Sequence, residues 1–406
     1  MADGQKSYLA PDLAASGSRY LIVAAAGAAG LAAGWFINHD QFFLSYLVGY
    51  VFWINMALGM LFLLMIQHLT GGAWGVLTRR VLESGARTLP ALAVLFVPVI
   101  VGMHSLYEWT HADAVAADKI LQHKAPYLNT TGFLTRAAVY FVVWGAVALL
   151  LAAWSRGQDL TGRPEFTHRM RTLSGPGVVM YGLTVTFMST DWFMSLEPHW
   201  FSTMYPVLFV VGQGLAAFTL TIITVVWLSG RAPLAGVVTQ KHLHDLGKLM
   251  LAFVLLWAYT NFSQFLITWS GNLREEVPWY LKRTQEGWLA VALILVIFHF
   301  ALPFVLLLSR KVKQNARLLA GIAAVLLVMR AVDLFWFLRP AVPHGGGEGH
   351  HGLSLMTALS TVWIDLSALA AIGGLWMFLF MRGLSKRPLL PVNDPHFEEA
   401  LAHGRH

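Results

Sequence analysis

Ten long apolar stretches divide this chain of 406 residues, and they constrain its fold more than any other feature. A hydrocarbon core of roughly 30 Å is crossed by about 20 helical residues, which is close to the length of the shortest stretch. The sequence therefore predicts an all-α integral membrane protein with ten transmembrane helices. These spans are placed near residues 19–37, 41–66, 87–107, 132–154, 174–195, 201–229, 246–269, 287–309, 316–338 and 356–381.

The scarcity of charge supports this interpretation. Charged residues make up 12% of the chain and apolar residues 57%, whereas a soluble domain carries roughly 25% charged residues. The net charge of +7 comes from basic residues in short groups between apolar stretches, so it does not indicate nucleic-acid binding. The chain has no Cys, which excludes disulfides and thiolate-ligated iron–sulfur clusters. A soluble enzyme and a disordered protein are excluded, and the lipid bilayer is the expected surrounding.

The placement of Lys and Arg predicts the orientation. Most of the 28 basic residues fall in the N-terminal tail, in alternate loops and in the C-terminal tail. Cytoplasmic segments carry such an excess, so both tails (1–18 and 382–406) are expected in the cytoplasm of a bacterial cell, with the spans in its inner membrane. The first tail lacks the basic start and cleavage site of a signal peptide. No loop is long enough to build its own core, so a catalytic head would belong to another polypeptide.

A repeated motif links the fifth and ninth spans. Residues 191–198 and 333–340 both read D-x-F-x-x-L-x-P without a gap. Helices four spans apart run in the same direction, so a duplication predicts two four-helix bundles, 41–195 and 201–338, related by a pseudo-two-fold axis near the membrane normal.

The first and last spans, 19–37 and 356–381, would then be peripheral helices. The first contains Gly30-x-x-x-Gly34. This pattern is typical of helices that pack closely in lipid, although it also fits a generic small-residue helix.

Ionisable groups inside a membrane are costly, which makes each of them a functional candidate. His104, Asp191, Arg330 and Asp333 are predicted near the outer ends of their helices, where they would form a polar cavity for a quinone headgroup or for protons. A structural alternative stays open. Arg330 and Asp333 can pair at i and i+3, and Asp191 can cap the following turn or bond a Trp.

Three further polar groups, His299, Asp365 and Asn55, are predicted nearer the middle of the membrane. Linked by water, such groups could carry protons between the cytoplasm and the outer cluster. Alternatively, His299 is a packing residue and Asp365 a protonated hydrogen-bond donor. No helix carries the paired His of a haem site, and the glycine-rich segment 344–351 is predicted to be a linker. We therefore expect no metal or haem in this chain.

The segment 191–206 reads DWFMSLEPHWFSTMYP. It resembles the signature region of NrfD-like (polysulfide-reductase-type) membrane subunits, and more narrowly those of alternative complex III, a quinol:cytochrome c oxidoreductase. The chain is most similar to the smaller, ActF-type subunit. The resemblance implies a second NrfD-like membrane subunit, an iron–sulfur protein and c-type cytochromes as partners, with haem c and iron–sulfur clusters in those partners. It also implies a proton-translocating role. It does not imply a redox centre in this chain.

Three functions follow from these observations. In the first, the chain is a subunit of a quinol-oxidising respiratory complex that contributes a proton path and a docking surface. In the second, the chain itself binds and oxidises quinol, with His104 and Asp191 accepting protons and Trp192 and Phe193 flanking the ring. The third is a secondary transporter with parallel repeats, which would require broken helices at mid-membrane. The fifth and ninth spans instead keep the prolines of the repeated motif at their ends.

Overall fold

The computed structural model describes residues 8–341 and 353–403, so the segment 344–351 lies outside the described residues. Within the described ranges the chain is helical and contains no strand. Ten long helices carry the architecture. They are α1 (Tyr20–Ile37), α2 (His39–Thr70), α3 (Ala73–Val101), α4 (Thr130–Thr161), α5 (Glu165–Trp192), α6 (Tyr205–Ser229), α7 (Gln240–Gly271), α8 (Trp288–Leu308), α9 (Ala316–Leu338) and α10 (Val362–Ser385).

Nine of these helices, over the residues described, are both long and apolar enough to cross a membrane. The exception is α5, which has 28 residues but is rich in Ser, Thr and Gly and begins with a charged turn. The prediction of an all-α, multi-pass membrane protein is confirmed.

Most helices extend several residues beyond their predicted bounds; α5, for example, begins at Glu165 rather than at residue 174. The third and the last predicted spans differ further. The third begins at Ala73 rather than at residue 87, and its first segment, Ala73–Ala86, is almost fully buried. Its charged residues suggested a loop, but they pair with other buried charges, as described below. The last predicted span, 356–381, is interrupted at Thr361, which separates a short helix, Leu355–Ser360, from α10.

The core lies around α2 and α6, which are the most buried of the long helices and pack against each other. A Cβ added at Gly59 of α2 would lie 2.0 Å from the backbone oxygen of Gln213 in α6, so the two backbones nearly touch. In addition, α2 contacts α3 and α5, whereas α6 contacts α7 and α9. Each central helix thus packs against helices that follow it in sequence.

Small residues join α1 to α10. Added Cβ atoms at Gly27, Gly30 and Gly34 would lie 2.3 to 2.9 Å from atoms of α10. The glycine pattern in the first span therefore does mark close helix packing. The rest of α1 is mostly exposed, as expected of a helix at the edge of a membrane protein.

The end of the chain folds back over the helix ends. The backbone N–H of Leu389 donates to the carbonyl of Tyr8 at 2.9 Å, and a nitrogen of His242 in α7 lies 3.0 Å from the carbonyl oxygen of Ala400. Residues 386–403 therefore form a tail that contacts the N-terminal segment and the second half of the molecule.

Candidate functional site: buried polar clusters

Asp191, in the last turn of α5, is fully buried and fully bonded. Arg136 of α4 donates to both carboxylate oxygens at 2.9 Å, and the Tyr140 hydroxyl donates at 2.6 Å. The guanidinium also lies 4.0 Å from the centre of the Tyr127 ring. Sequence reasoning missed Arg136 because, near the start of a predicted span, it was counted with the loop charges.

Aromatic side chains fill the space next to Asp191. Trp192 is fully buried and stacks on Phe96, with ring centroids 4.4 Å apart. Phe193 stacks on Phe209 of α6 at 4.5 Å. Any ring that bound between Trp192 and Phe193 would have to displace these side chains.

His104 occupies a different environment. Its side chain is exposed, and its ring lies 3.8 Å from that of His111, centroid to centroid. Within the described part of the chain, His104 makes no contact with Asp191. The structure thus brings Asp191, Trp192 and Phe193 together and leaves His104 in a separate histidine pair.

A second cluster lies in the other half of the molecule. Arg330 and Asp333, one turn apart on α9, form the predicted hydrogen-bonded ion pair, and both are buried. The indole N–H of Trp257 in α7 donates to Asp333 at 3.2 Å. The guanidinium of Arg330 rests on Gly212 of α6, where an added Cβ would lie 2.3 Å from its central carbon.

His299 joins this second cluster through Trp257. The two rings are stacked, with centroids 4.2 Å apart and planes 14° apart. His299 lies in a π-helical stretch, Leu295–Ala301, and is fully buried. Neither ring nitrogen has a hydrogen-bond partner within the described part of the chain. The Nε and Nη2 atoms of Arg330 and the Oδ1 atom of Asp333 are likewise without partners there.

Asp365 has a charged neighbour that the sequence analysis did not anticipate. It lies in the first turn of α10, and one of its oxygens is 3.5 Å from Nε of the fully buried Arg339. Arg339 also donates to the carbonyl of Ala358 at 3.0 Å. Sequence reasoning missed this contact because Arg339 follows the ninth span and lies on the other side of the next loop from Asp365.

Three amide and hydroxyl side chains connect the two halves. Gln213 of α6 donates to Asn55 of α2 at 2.8 Å, and the Tyr181 hydroxyl of α5 donates to Gln213. The expectation that Asn55 is a buried polar group holds. Sequence reasoning missed Tyr181, and its position in an apolar span was the one available signal.

Two loops, one between α3 and α4 and one between α7 and α8, hold the segment that follows α5. Glu197 accepts from Arg283 at 2.7 Å and from Lys282 at 3.1 Å. His199 is hydrogen-bonded to Asp118. Partial burial acts to raise the pKa of Asp118, but the hydrogen bonds from His199 and from two backbone N–H groups outweigh it and lower the pKa below its usual value.

A buried charge cluster, which sequence reasoning missed, lies at the opposite end of the helices. Arg79 donates to Glu83 at 2.9 Å and to Asp394 of the tail at 2.6 Å, and Arg80 pairs with Glu83 and Asp159. Arg387 of the tail lies 3.4 Å from Glu83. The i, i+3 and i, i+4 spacing of Arg79, Arg80 and Glu83 was the one available signal.

These clusters contain no obvious metal site, since no group of three or more His, Asp or Glu side chains in the described ranges is arranged to hold an ion. Comparison with known proteins adds no further assignment: no protein-family model matches the chain, and no curated protein matches it.

Proposed function

We propose that this chain is a membrane subunit of a respiratory quinol:cytochrome c oxidoreductase of the alternative complex III type. It contributes a proton-transfer path and a docking surface for redox subunits. The resemblance of segment 191–206 motivates the complex, and the buried cluster around Arg330 and Asp333 supports the proton path. A chain without Cys leaves the iron–sulfur clusters to a partner, and haem c is assigned to partner cytochromes.

The observation that carries the proton path is the set of unpartnered polar atoms at Arg330, Asp333 and His299. Buried polar atoms in folded proteins are nearly always hydrogen-bonded, to protein or to ordered water. The space beside Arg330 and Asp333 is too small for a water molecule in this arrangement, so a water link from His299 to Asp333 past Trp257 requires the surrounding side chains to move. A carboxylate, an imidazole and water are the usual carriers of protons through membrane proteins.

Asp191 is less suited to this role. Its carboxylate accepts two hydrogen bonds from Arg136, and the positive charge of Arg136 neutralises it. We assign Asp191 a structural role in joining α4 to α5, and Asp333 the proton-carrying role.

The path extends toward the centre of the molecule. Gly212 contacts the guanidinium of Arg330, and the next residue of α6, Gln213, bonds Asn55 and Tyr181. A proton that leaves the Arg330–Asp333 pair on this side would meet an amide and a hydroxyl rather than a purely apolar core.

The finer architecture belongs to the same proposal. We infer ten spans in a bacterial inner membrane, with both termini cytoplasmic and with the helices α2–α5 and α6–α9 as two related bundles. The contact of α2 with α6, the first helix of each bundle, supports a two-fold relation, because equivalent elements meet at such an axis.

Complex membership is tested by affinity purification of the tagged chain from its native membrane. We expect a second polytopic subunit, an iron–sulfur polypeptide and haem c polypeptides to co-purify. Recovery of the chain alone under mild detergent would contradict the assignment.

The proton path is tested in the intact complex reconstituted into vesicles. Asp333→Asn should lower the number of protons moved per electron at least tenfold while uncoupled quinol oxidation continues. Asp333→Glu should restore much of the loss. The control is Glu275→Gln, which removes an exposed carboxylate. Equal proton movement by Asp333→Asn and the control would rule the path out.

A further inference from the structure

A cavity of about 330 Å³ opens where the first half of α3 meets the last turns of α10. Three cations line it: Arg87 from α3, Arg382 in α10 and Lys386 just after it. No carboxylate lines this cavity, and none within the described ranges pairs with any of the three side chains. Three unpaired cations around one cavity indicate an anionic ligand.

Close packing of the two helices brings these cations together. Gly383 of α10 sits against Ser84 of α3, where an added Cβ would lie 2.2 Å from the Ser84 hydroxyl. The hydroxyls of Ser84 and Thr88, which also line the cavity, donate to the carbonyls of Phe380 and Gly85 at 2.6 and 2.7 Å. The floor is therefore rigid, and the cations are the groups left to bind a ligand.

The other wall of the cavity is apolar and continues along α3. Pro90, Ala91 and Leu379 line the cavity. Beyond Pro90, the side chains of Val94, Val97 and Val101 are 52 to 70% exposed and recur every three or four residues, on one face of the helical run. A ligand with a charged end and a long apolar end would match both parts.

The depth of the cavity also fits such a ligand. The 24 residues of α10 span roughly 36 Å as a helix, slightly more than a hydrocarbon core of roughly 30 Å. Arg382 and Lys386, at the end of this helix, therefore lie at the level of lipid headgroups. This end carries the Lys and Arg excess that predicts the cytoplasmic side.

We propose that this cavity binds the headgroup of an anionic phospholipid. The phosphate lies among Arg87, Arg382 and Lys386, and an acyl chain follows the apolar face from Pro90 toward Val101. Basic pockets between transmembrane helices on the cytoplasmic side are a general means of binding such headgroups. Free phosphate could also pair with the three cations, but it would make no contact with the apolar face.

The test measures lipid binding by native mass spectrometry of the full chain, titrated with phosphatidylglycerol or phosphatidylcholine. The variant carries Arg87→Gln, Arg382→Gln and Lys386→Gln. The matched control carries Arg156→Gln, Arg163→Gln and Lys311→Gln, which removes three exposed cations away from the cavity. Since each cation near a membrane surface contributes about five-fold in affinity, the first variant should bind phosphatidylglycerol about 100-fold more weakly. The control should bind as the native chain does.

Two further measurements separate a lipid from free phosphate. Val94→Ser should weaken phosphatidylglycerol binding, because it interrupts the apolar face, and inorganic phosphate alone should neither bind measurably nor displace the lipid. Equal binding of phosphatidylcholine, equal losses in the two triple variants, or tight binding of inorganic phosphate that Val94→Ser leaves unchanged would each overturn the proposal.

Discussion

At the scale of single residues, the buried charges of this protein depend on partners far away in the sequence. Arg136 and Asp191 are 55 residues apart, and Arg79 and Asp394 are 315 apart. Removing one member of such a pair leaves an uncompensated buried charge, which costs more than the pair itself contributes.

Arg136→Gln is therefore expected to lower the free energy of unfolding by about 3 kcal/mol, because Asp191 would stay buried without its cation. The measurement is unfolding in detergent. The double variant with Asp191→Asn should recover part of the loss. Additive losses in the double variant would show that the pair is not coupled.

The Asp118–His199 pair makes the loop between α3 and α4 sensitive to acid. Because the folded-state pKa of Asp118 is depressed, its stabilising contribution is present above its unfolded pKa, about 3.9, and is lost as the pH falls through the lower folded value. Below about pH 4, the amides of Ile120 and Leu121, which Asp118 caps, should lose hydrogen-exchange protection. Asp118→Asn should remove this pH dependence; a dependence that persisted would assign it to other groups.

At the scale of helices, the long apolar stretches of the sequence predicted which segments are helical, but they predicted less accurately where each helix begins. The α3 helix begins at Ala73 because Arg79, Arg80 and Glu83 neutralise one another inside the protein. A sequence shows the charges but not the Asp159 and Asp394 carboxylates that complete the cluster. The same reason explains Asp365, whose partner Arg339 lies across a loop.

The α1–α10 contact gives a prediction at this scale. A Cβ at Gly27 would lie 2.3 Å from the backbone nitrogen of Ala371, so Gly27→Ala forces the two backbones apart. We expect a loss of about 2 kcal/mol in stability, measured by thermal unfolding in detergent. Gly321→Ala, in α9, is the control because its Cβ would meet nothing within 4 Å and alanine favours the helix. Equal stability of the two variants would mean that α1 packs more loosely.

At the scale of the whole molecule, the tail joins parts that the helices alone leave separate. Asp394 and Arg387 bind the charge cluster in the first segment of α3, and the carbonyl of Ala400 faces His242 of α7. The sequence predicted only a cytoplasmic tail here, because its contacts depend on which helix ends lie beneath it. The pairing of Arg330 with Asp333 was predictable because both lie on one helix.

Truncation after Ser385 should therefore destabilise both the helices around α3 and those around α7, because the tail contacts each of them. We expect a lower thermal midpoint and, compared with the full chain, faster proteolysis between α4 and α5, because Asn393 of the tail donates to the carbonyls of Gln158 and Asp159 at the end of α4. Glu398→Gln, an exposed position on the tail, serves as the control. A truncated chain with native stability would show that the tail contacts contribute little.

The position of Asp394 has a consequence for biosynthesis. It is made 315 residues after Arg79, which at about 5–20 residues per second corresponds to roughly 15–60 s. During that interval the charge cluster lacks both Asp394 and Arg387, although α3 has already been made. The cluster is completed only after residue 394 has been made, so the last step in forming this end of the protein follows the synthesis of α10.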